Sequence, residues 1–195
     1  MRPVRLMLVA LAALLFVVIS CLKRPAEKTD SASLPDSVYL RLGDQLVALT
    51  FDTLRDALTT AIGQQGFAYA VSFCNENAYP LTTYYQEEGV TIRRASDKYR
   101  NPKNAADSLE SALLDQFRAE GPSTRIVRTE SEVHYIKPIL MQGMCLHCHG
   151  TPGEHLKPET VAAIEEKYPT DKAVGYKEGD LRGLWHVVFR KNKAH

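Results

Sequence analysis

From Ser37 onward the apolar residues Val38, Leu42, Leu46, Leu49, Leu54, Leu58 and Ile62 recur at helical spacing, with Asp36 or Ser37 placed to cap them. That pattern predicts a long amphipathic helix. Gly63 and Gly66 interrupt it, and a second stripe resumes as Phe67, Ala70, Val71, Cys74, Ala78 and Leu81, since residues three or four apart share one helix face. Cys74 therefore falls on the inward face of the second stripe. Pro80 lacks an N–H and would free the carbonyl near Glu76, so the helix is expected to bend or restart one turn after the cysteine.

Beyond the helices the period shortens. Val90 to Ala95 is β-like, and Asn101-Pro102 opens a helix carrying Leu109, Leu113 and Phe117 until Gly121-Pro122 stops it. Arg125 to Met141 predicts two strands turning near Thr129 to Glu132. Pro158 begins a short helix through Ile164 that Pro169 ends, and Leu184 to Arg190 forms a last strand. Alternation puts Trp185, Val187 and Phe189 on one face of that strand and Leu184, His186 and Val188 on the other. Helices followed by antiparallel-looking strands favour the α+β class.

The first 21 residues have a different character. Arg2 and Arg5 precede an unbroken apolar run from Leu6 to Ile19, closed by Ser20 and Cys21 and followed by Lys23 and Arg24. This is the composition of a signal peptide. Its end, Val18-Ile19-Ser20-Cys21, is similar to a bacterial lipobox with Cys21 as the lipidated residue, although leucine is commoner where Val18 stands. An uncleaved membrane anchor is the alternative, because the run is close to the shortest that spans a bilayer. Both place the rest of the chain outside the cytoplasmic membrane and tethered to a bilayer, periplasmic in a bacterium. Residues 22–36 (LKRPAEKTDSASLPD) form a polar tether, and 37–195 remain as one domain of about 160 residues, enough for a real core. A formal net charge of +1 supplies no basic field for nucleic acid.

Within that exported domain stands CLHCH. Cysteines three apart on one helical turn, Cys145 and Cys148, present both sulfurs to the two vinyl groups of a haem, and the adjacent His149 points at the iron. Two thioether bonds and one imidazole make a single covalent haem c and leave the sixth ligand to the protein. Zinc held with His147 or His155, or a thioredoxin-like redox pair, would use the same residue types. No second C-x-x-C completes a zinc ribbon and no βαβ pattern surrounds this one. Of four cysteines, Cys21 belongs to the membrane and Cys145 and Cys148 to haem, which leaves Cys74 unpaired in an oxidising compartment. The haem propionates need donors such as Arg, Tyr or Asn. Tyr135 lies on a strand shortly before the motif, while the charges of RRASDKYR equally suit a solvated face. In GDLRG, Arg182 is ambiguous, and Gly179, Asp180 and Gly183 suit a turn feeding the last strand.

The blocks AVSFCNENAYP, RRASDKYRNPKNAAD, YIKPILMQGMCLHCHG and YPTDKAVGYKEGDLRG, running from Cys74 to Gly183, resemble those of single-haem, c-type, PAS-like domains. Such domains occur as exported cytochromes and as extracytoplasmic input domains of membrane sensor kinases. The resemblance covers nearly the whole mature domain. It implies an antiparallel sheet of about five strands flanked by helices, with haem between sheet and helices. It also implies axial ligation by histidine and by a cysteine thiolate from the early helix, here His149 and Cys74, and it places Arg94, Arg100 and Asn101 near the pocket. Were Cys74 merely a buried cysteine, Met141, His134, His155 or His186 would serve as sixth ligand, or the position would stay open. His147 and Met144 lie too close to the attachment point to reach round the ring.

A thiolate donor stabilises ferric over ferrous iron, so the reduction potential is expected to be low. Three functions compete. An electron carrier or redox relay needs only a haem edge near the surface and a redox partner protein. A redox or gas sensor would need a separate signalling partner, because the sequence ends at His195 with no kinase. A peroxidase requires an open iron position and a placed acid–base group, which six-coordination opposes, so no enzyme activity is expected.

Overall fold

The computed structural model describes residues 34–191. The leader, Cys21 and nearly all of the tether lie outside the described residues. Among the described residues no helix is long and apolar enough to cross a membrane.

Helix α1 runs Asp36–Thr83 and is broken only at Gln65 (φ −143°) and Gly66 (φ 80°, ψ −172°). The positive φ at Gly66 is one that residues with a Cβ rarely adopt. Gly63, the other expected interruption, stays helical. The anticipated restart at Pro80 does not occur either: dihedrals remain helical through Thr83. There the Thr82 hydroxyl donates to the Ala78 carbonyl and the Thr83 hydroxyl to those of Tyr79 and Pro80, so the last turns keep polar partners.

Strand β1 is Val90–Ala95. Asn101-Pro102 opens only a 3-10 turn, Pro102–Asn104, and the true helix α2 is Ser108–Glu120. The start shifts because Asp107 forms a reciprocal capping box with Glu110, a stronger start signal than Asn101-Pro102. β2 (Arg125–Arg128) and β3 (Glu132–Leu140) form the expected hairpin. A one-turn helix α3 (Leu146–His149), α4 (Pro158–Lys167) and β4 (Leu181–Arg190) complete the chain.

The sheet has the order β1-β4-β3-β2 and is antiparallel throughout, four strands where the family resemblance implies about five. β4 is central and buried on both sides. Trp185, Val187 and Phe189 pack with Ile92, Val133 and Tyr135 against Tyr39 and Val47 of the first half of α1. On the other face Leu184 packs with Ala95 and Ile136 against Leu113, Leu114 and Phe117 of α2. The break at Gly66 divides α1 by task. Its first half covers the sheet, and its second half meets α4, where Val71 packs on Leu156, Ile164 and Tyr168. The architecture is α+β, a helix-flanked antiparallel sheet consistent with a PAS-like fold.

Candidate functional site

The C-x-x-C-H segment leaves the end of β3 and is pinned to the segment before β4 by main-chain bonds. Met141 N–H donates to the Asp180 carbonyl, Tyr176 N–H to that of His149, and Gly175 N–H to that of Gly150. Cys145 and Cys148 are half-buried on one compact turn. Cys145 packs beside Met141, Ala173 and Tyr176, and Cys148 beside Val71, Leu156 and Tyr168. Burial pushes the Cys148 thiol up to about 11, against the pull of Arg100.

His149 Nδ1 lies 2.8 Å from the Ala173 carbonyl oxygen. A carbonyl only accepts, so Nδ1 carries the proton and Nε2 keeps its lone pair. Burial, reinforced by Arg100 and Arg182, holds the imidazole pKa well below its ordinary value. A neutral ring with Nδ1–H tied to a carbonyl is the form that ligates a metal through Nε2.

Cys74 comes to the same place from the second half of α1. Burial raises its thiol pKa while Arg94 and Arg100 pull it down, and Val71, one turn before it, packs with Cys148 and Tyr168. Asn75, next in sequence, donates from Nδ2 to the Lys167 carbonyl at 3.1 Å and ties this turn to α4.

Three arginines lie near Cys74 or His149, and each has a different situation. Arg100 is fully engaged: it pairs with Asp171 at 3.0 Å and donates to the carbonyls of Cys148 (2.7 Å) and Ala173 (3.3 Å). It therefore clamps the motif to the loop that holds His149. Arg182 donates to Ser96 Oγ and to the Lys98 carbonyl and lies over the Tyr176 ring. Arg94 donates to the Ala78 carbonyl, one turn beyond Cys74, and lies over Trp185, but its Nε is sealed from solvent without a hydrogen-bond partner. Burial lowers its pKa to about 10. A sealed guanidinium N–H with nothing to donate to is costly, and an anionic group beside it removes that cost.

The other expected residues lie elsewhere or do other work. Asn101 Oδ1 accepts from Lys103 N–H and caps the 3-10 turn. Tyr135 is fully buried opposite Val187, on the sheet face beneath the first half of α1, and its hydroxyl donates to Asp44 at 2.6 Å. Strand alternation turns it towards that core, so it is not a partner for groups at the motif. His134 and His186 are bonded to each other on the α2 face, with His186 also on Glu110. Both His186 ring nitrogens are thus engaged. His155 Nδ1 accepts from Thr151 N–H. Met141 is buried beside Cys145. The sequence did not single out Asp171, the Ala173 carbonyl, Tyr168 or Tyr176 as partners of the site. Their only signal was membership of the block from Tyr168 to Gly183.

A family model described as Tll0287-like matches residues 38–190. The chain belongs to the Tll0287-like family. The crystal structure of the cyanobacterial heme-protein Tll0287 superposes on it with a TM-score of 0.59 at 25% identity, covering 84% of this chain and 100% of that one. No curated protein matches. The matched Tll0287-like region takes in both halves of the site, Cys74 on α1 and Cys145 to His149 after β3.

Proposed function

We propose that this domain binds one haem c, attached through Cys145 and Cys148 and ligated by His149 and Cys74, and that it carries electrons at low potential outside the cytoplasmic membrane. The observation that carries the reading is the packing of the second half of α1 on the C-x-x-C-H turn, with Val71, one turn before Cys74, against Cys148 and with the His149 Nδ1 proton committed to the Ala173 carbonyl. Family membership and a solved relative that is a heme-protein support the same cofactor. The residues present fit it: two thiols on one turn, a neutral imidazole, a third thiol from another element, and a sealed guanidinium N–H awaiting an acceptor.

Haem supplies a reversible one-electron couple at its iron. The protein residues set the conditions. Arg100, paired with Asp171, holds the Cys148 and Ala173 carbonyls and so fixes the orientation of the His149 imidazole. Arg94 would supply a donor for a haem carboxylate, and its positive charge acts to lower the Cys74 pKa. Were His149 and Cys74 both to hold the iron, peroxide would find no place to bind, which favours a carrier over an enzyme. The proposal includes tethering through a lipidated Cys21 and exchange with a redox partner protein.

The test uses full-length protein matured in a host that attaches haem c. Haem is expected to survive a denaturing gel in the wild type and in Cys74→Ala, and to be lost from the doubly substituted Cys145→Ser, Cys148→Ser protein. Cys74→Ala should raise the midpoint potential by on the order of a hundred millivolts and change the ferric EPR spectrum, because a negatively charged donor is lost. A colourless wild-type gel band would sink the cofactor, and an unaltered potential and spectrum would remove Cys74 as a ligand. If the ferrous wild type binds carbon monoxide readily, the site opens on reduction, and a gas or redox sensor working through a separate signalling partner becomes the better reading.

A further inference from the structure

On the sheet face away from the cysteines lies a second cluster of titratable groups that the proposed electron transfer does not use. Glu110, on α2, is fully buried. Its Oε1 and Oε2 lie 3.1 and 3.0 Å from Arg93 Nη1, Oε2 also accepts from Asp107 N–H at 2.9 Å, and Oε1 lies 2.8 Å from His186 Nδ1. His186 Nε2 is in turn 2.9 Å from His134 Nδ1, and His134 Nε2 faces Glu132 Oε2 at 3.6 Å. The line crosses β1, α2, β4 and β3, from the Arg93–Glu110 ion pair, whose carboxylate is fully buried, to the Glu132 carboxylate.

Its polarity is forced. A carboxylate held by a guanidinium and a main-chain N–H is an acceptor, so His186 must donate from Nδ1 and accept at Nε2. His134 must then donate from Nδ1, which leaves its Nε2 as a bare acceptor pointing at another acceptor, the Glu132 carboxylate. Glu132 meanwhile has a second attraction, Arg190 Nε at 3.4 Å from Oε1. We propose that His134 is a proton-binding switch: acidification adds one proton from solvent to its Nε2, and Glu132 then moves from Arg190 to the new imidazolium.

Only one proton enters, because a second imidazolium would stand 2.9 Å from the first. The charges around His134 are accounted for on every neighbouring element. On α2 they are Glu110 and Asp107, on β1 Arg93, on β4 His186 and Arg190, and on β3 Glu132. On β2 the residue opposite is Val127, and the same-face charge, Arg125, is tied to Glu120. Burial and His186 hold His134 below the usual histidine range, while Glu132 and Asp107 act in the opposite sense.

The test is nitrogen-15 NMR of the histidine rings in the full-length haem-loaded protein, from about pH 8 down to about pH 5. The expected result is a neutral Nδ1–H form of both rings at high pH, then proton uptake at His134 Nε2 with His186 unchanged. Glu132→Gln should lower the His134 midpoint, and Arg190→Gln should raise it, each by on the order of a few tenths of a pH unit. Both variants alter surface side chains and leave the buried line intact. Uptake first at His186, a proton on His134 Nε2 at pH 8, or a midpoint indifferent to both substitutions would overturn the switch.

Discussion

A single side chain shows how much of the chemistry here is environmental. Arg94 is one of several cations in RRASDKYR, and the sequence is compatible with a solvated face for all of them. Folding seals its Nε without a partner while Arg100, six residues on, finds an aspartate and two carbonyls. The two arginines should respond differently to substitution. Arg94→Gln removes a positive charge near the proposed haem, so ferric iron becomes relatively more stable and the midpoint potential should fall by on the order of tens of millivolts, measured by redox titration. Arg100→Gln is expected to loosen the His149 loop instead. What was legible at this scale was CLHCH, because the proposed attachment chemistry is contained within five consecutive residues. The proton position on His149 was not, since the carbonyl that fixes it belongs to Ala173, distant in sequence.

At the scale of elements, hydrophobic period located the longer helices and all four strands of the described residues but placed their ends less well. The end of α2 obeyed Gly121, whereas its start obeyed a capping box between Asp107 and Glu110 and not the earlier Asn101-Pro102. Glu110 illustrates why: a glutamate inside a helix reads as exposed, yet this one serves as N3 of the cap and as the buried acceptor of Arg93 and His186. The two early glycines of α1 also part company. Gly43 lies against the sheet, where an added Cβ would sit 2.3 Å from ring atoms of Tyr135, a ring whose hydroxyl is bonded to Asp44. Gly63 has nothing within 4 Å. Gly43→Ala should therefore destabilise by about 2 kcal/mol through overpacking, and Gly63→Ala should stabilise by roughly 0.5 to 1 kcal/mol through helix propensity. Opposite shifts in melting temperature would verify the pair.

For the whole molecule, stability should depend on pH through the face opposite the cysteines. Burial and the neighbouring His186 depress the His134 pKa in the folded state, so the unfolded chain binds the proton more readily. The associated stability is fully present above the ordinary histidine pKa of about 6.5. It is lost as pH falls through that value and levels off once the folded protein is protonated too. Chemical denaturation at a series of pH values should show this decline, and His134→Gln should flatten it. The same side chain thus connects the proposed proton switch to global stability, while the residues proposed to hold haem lie on the other face of the sheet.

The sequence alone determined the fold class, the order of elements and the presence of the C-x-x-C-H motif, because period, capping residues and a five-residue motif are local properties of the chain. Only the tertiary structure decided which groups meet: that Cys74 approaches the motif, that Tyr135 turns into the α1 core, and that His134 and His186 bond to each other and not to the site. The physical reason is that a strand flips its side chains at every residue and a glycine break redirects a helix. Function at both faces therefore depends on register and crossing geometry, which arise when the sheet and helices pack.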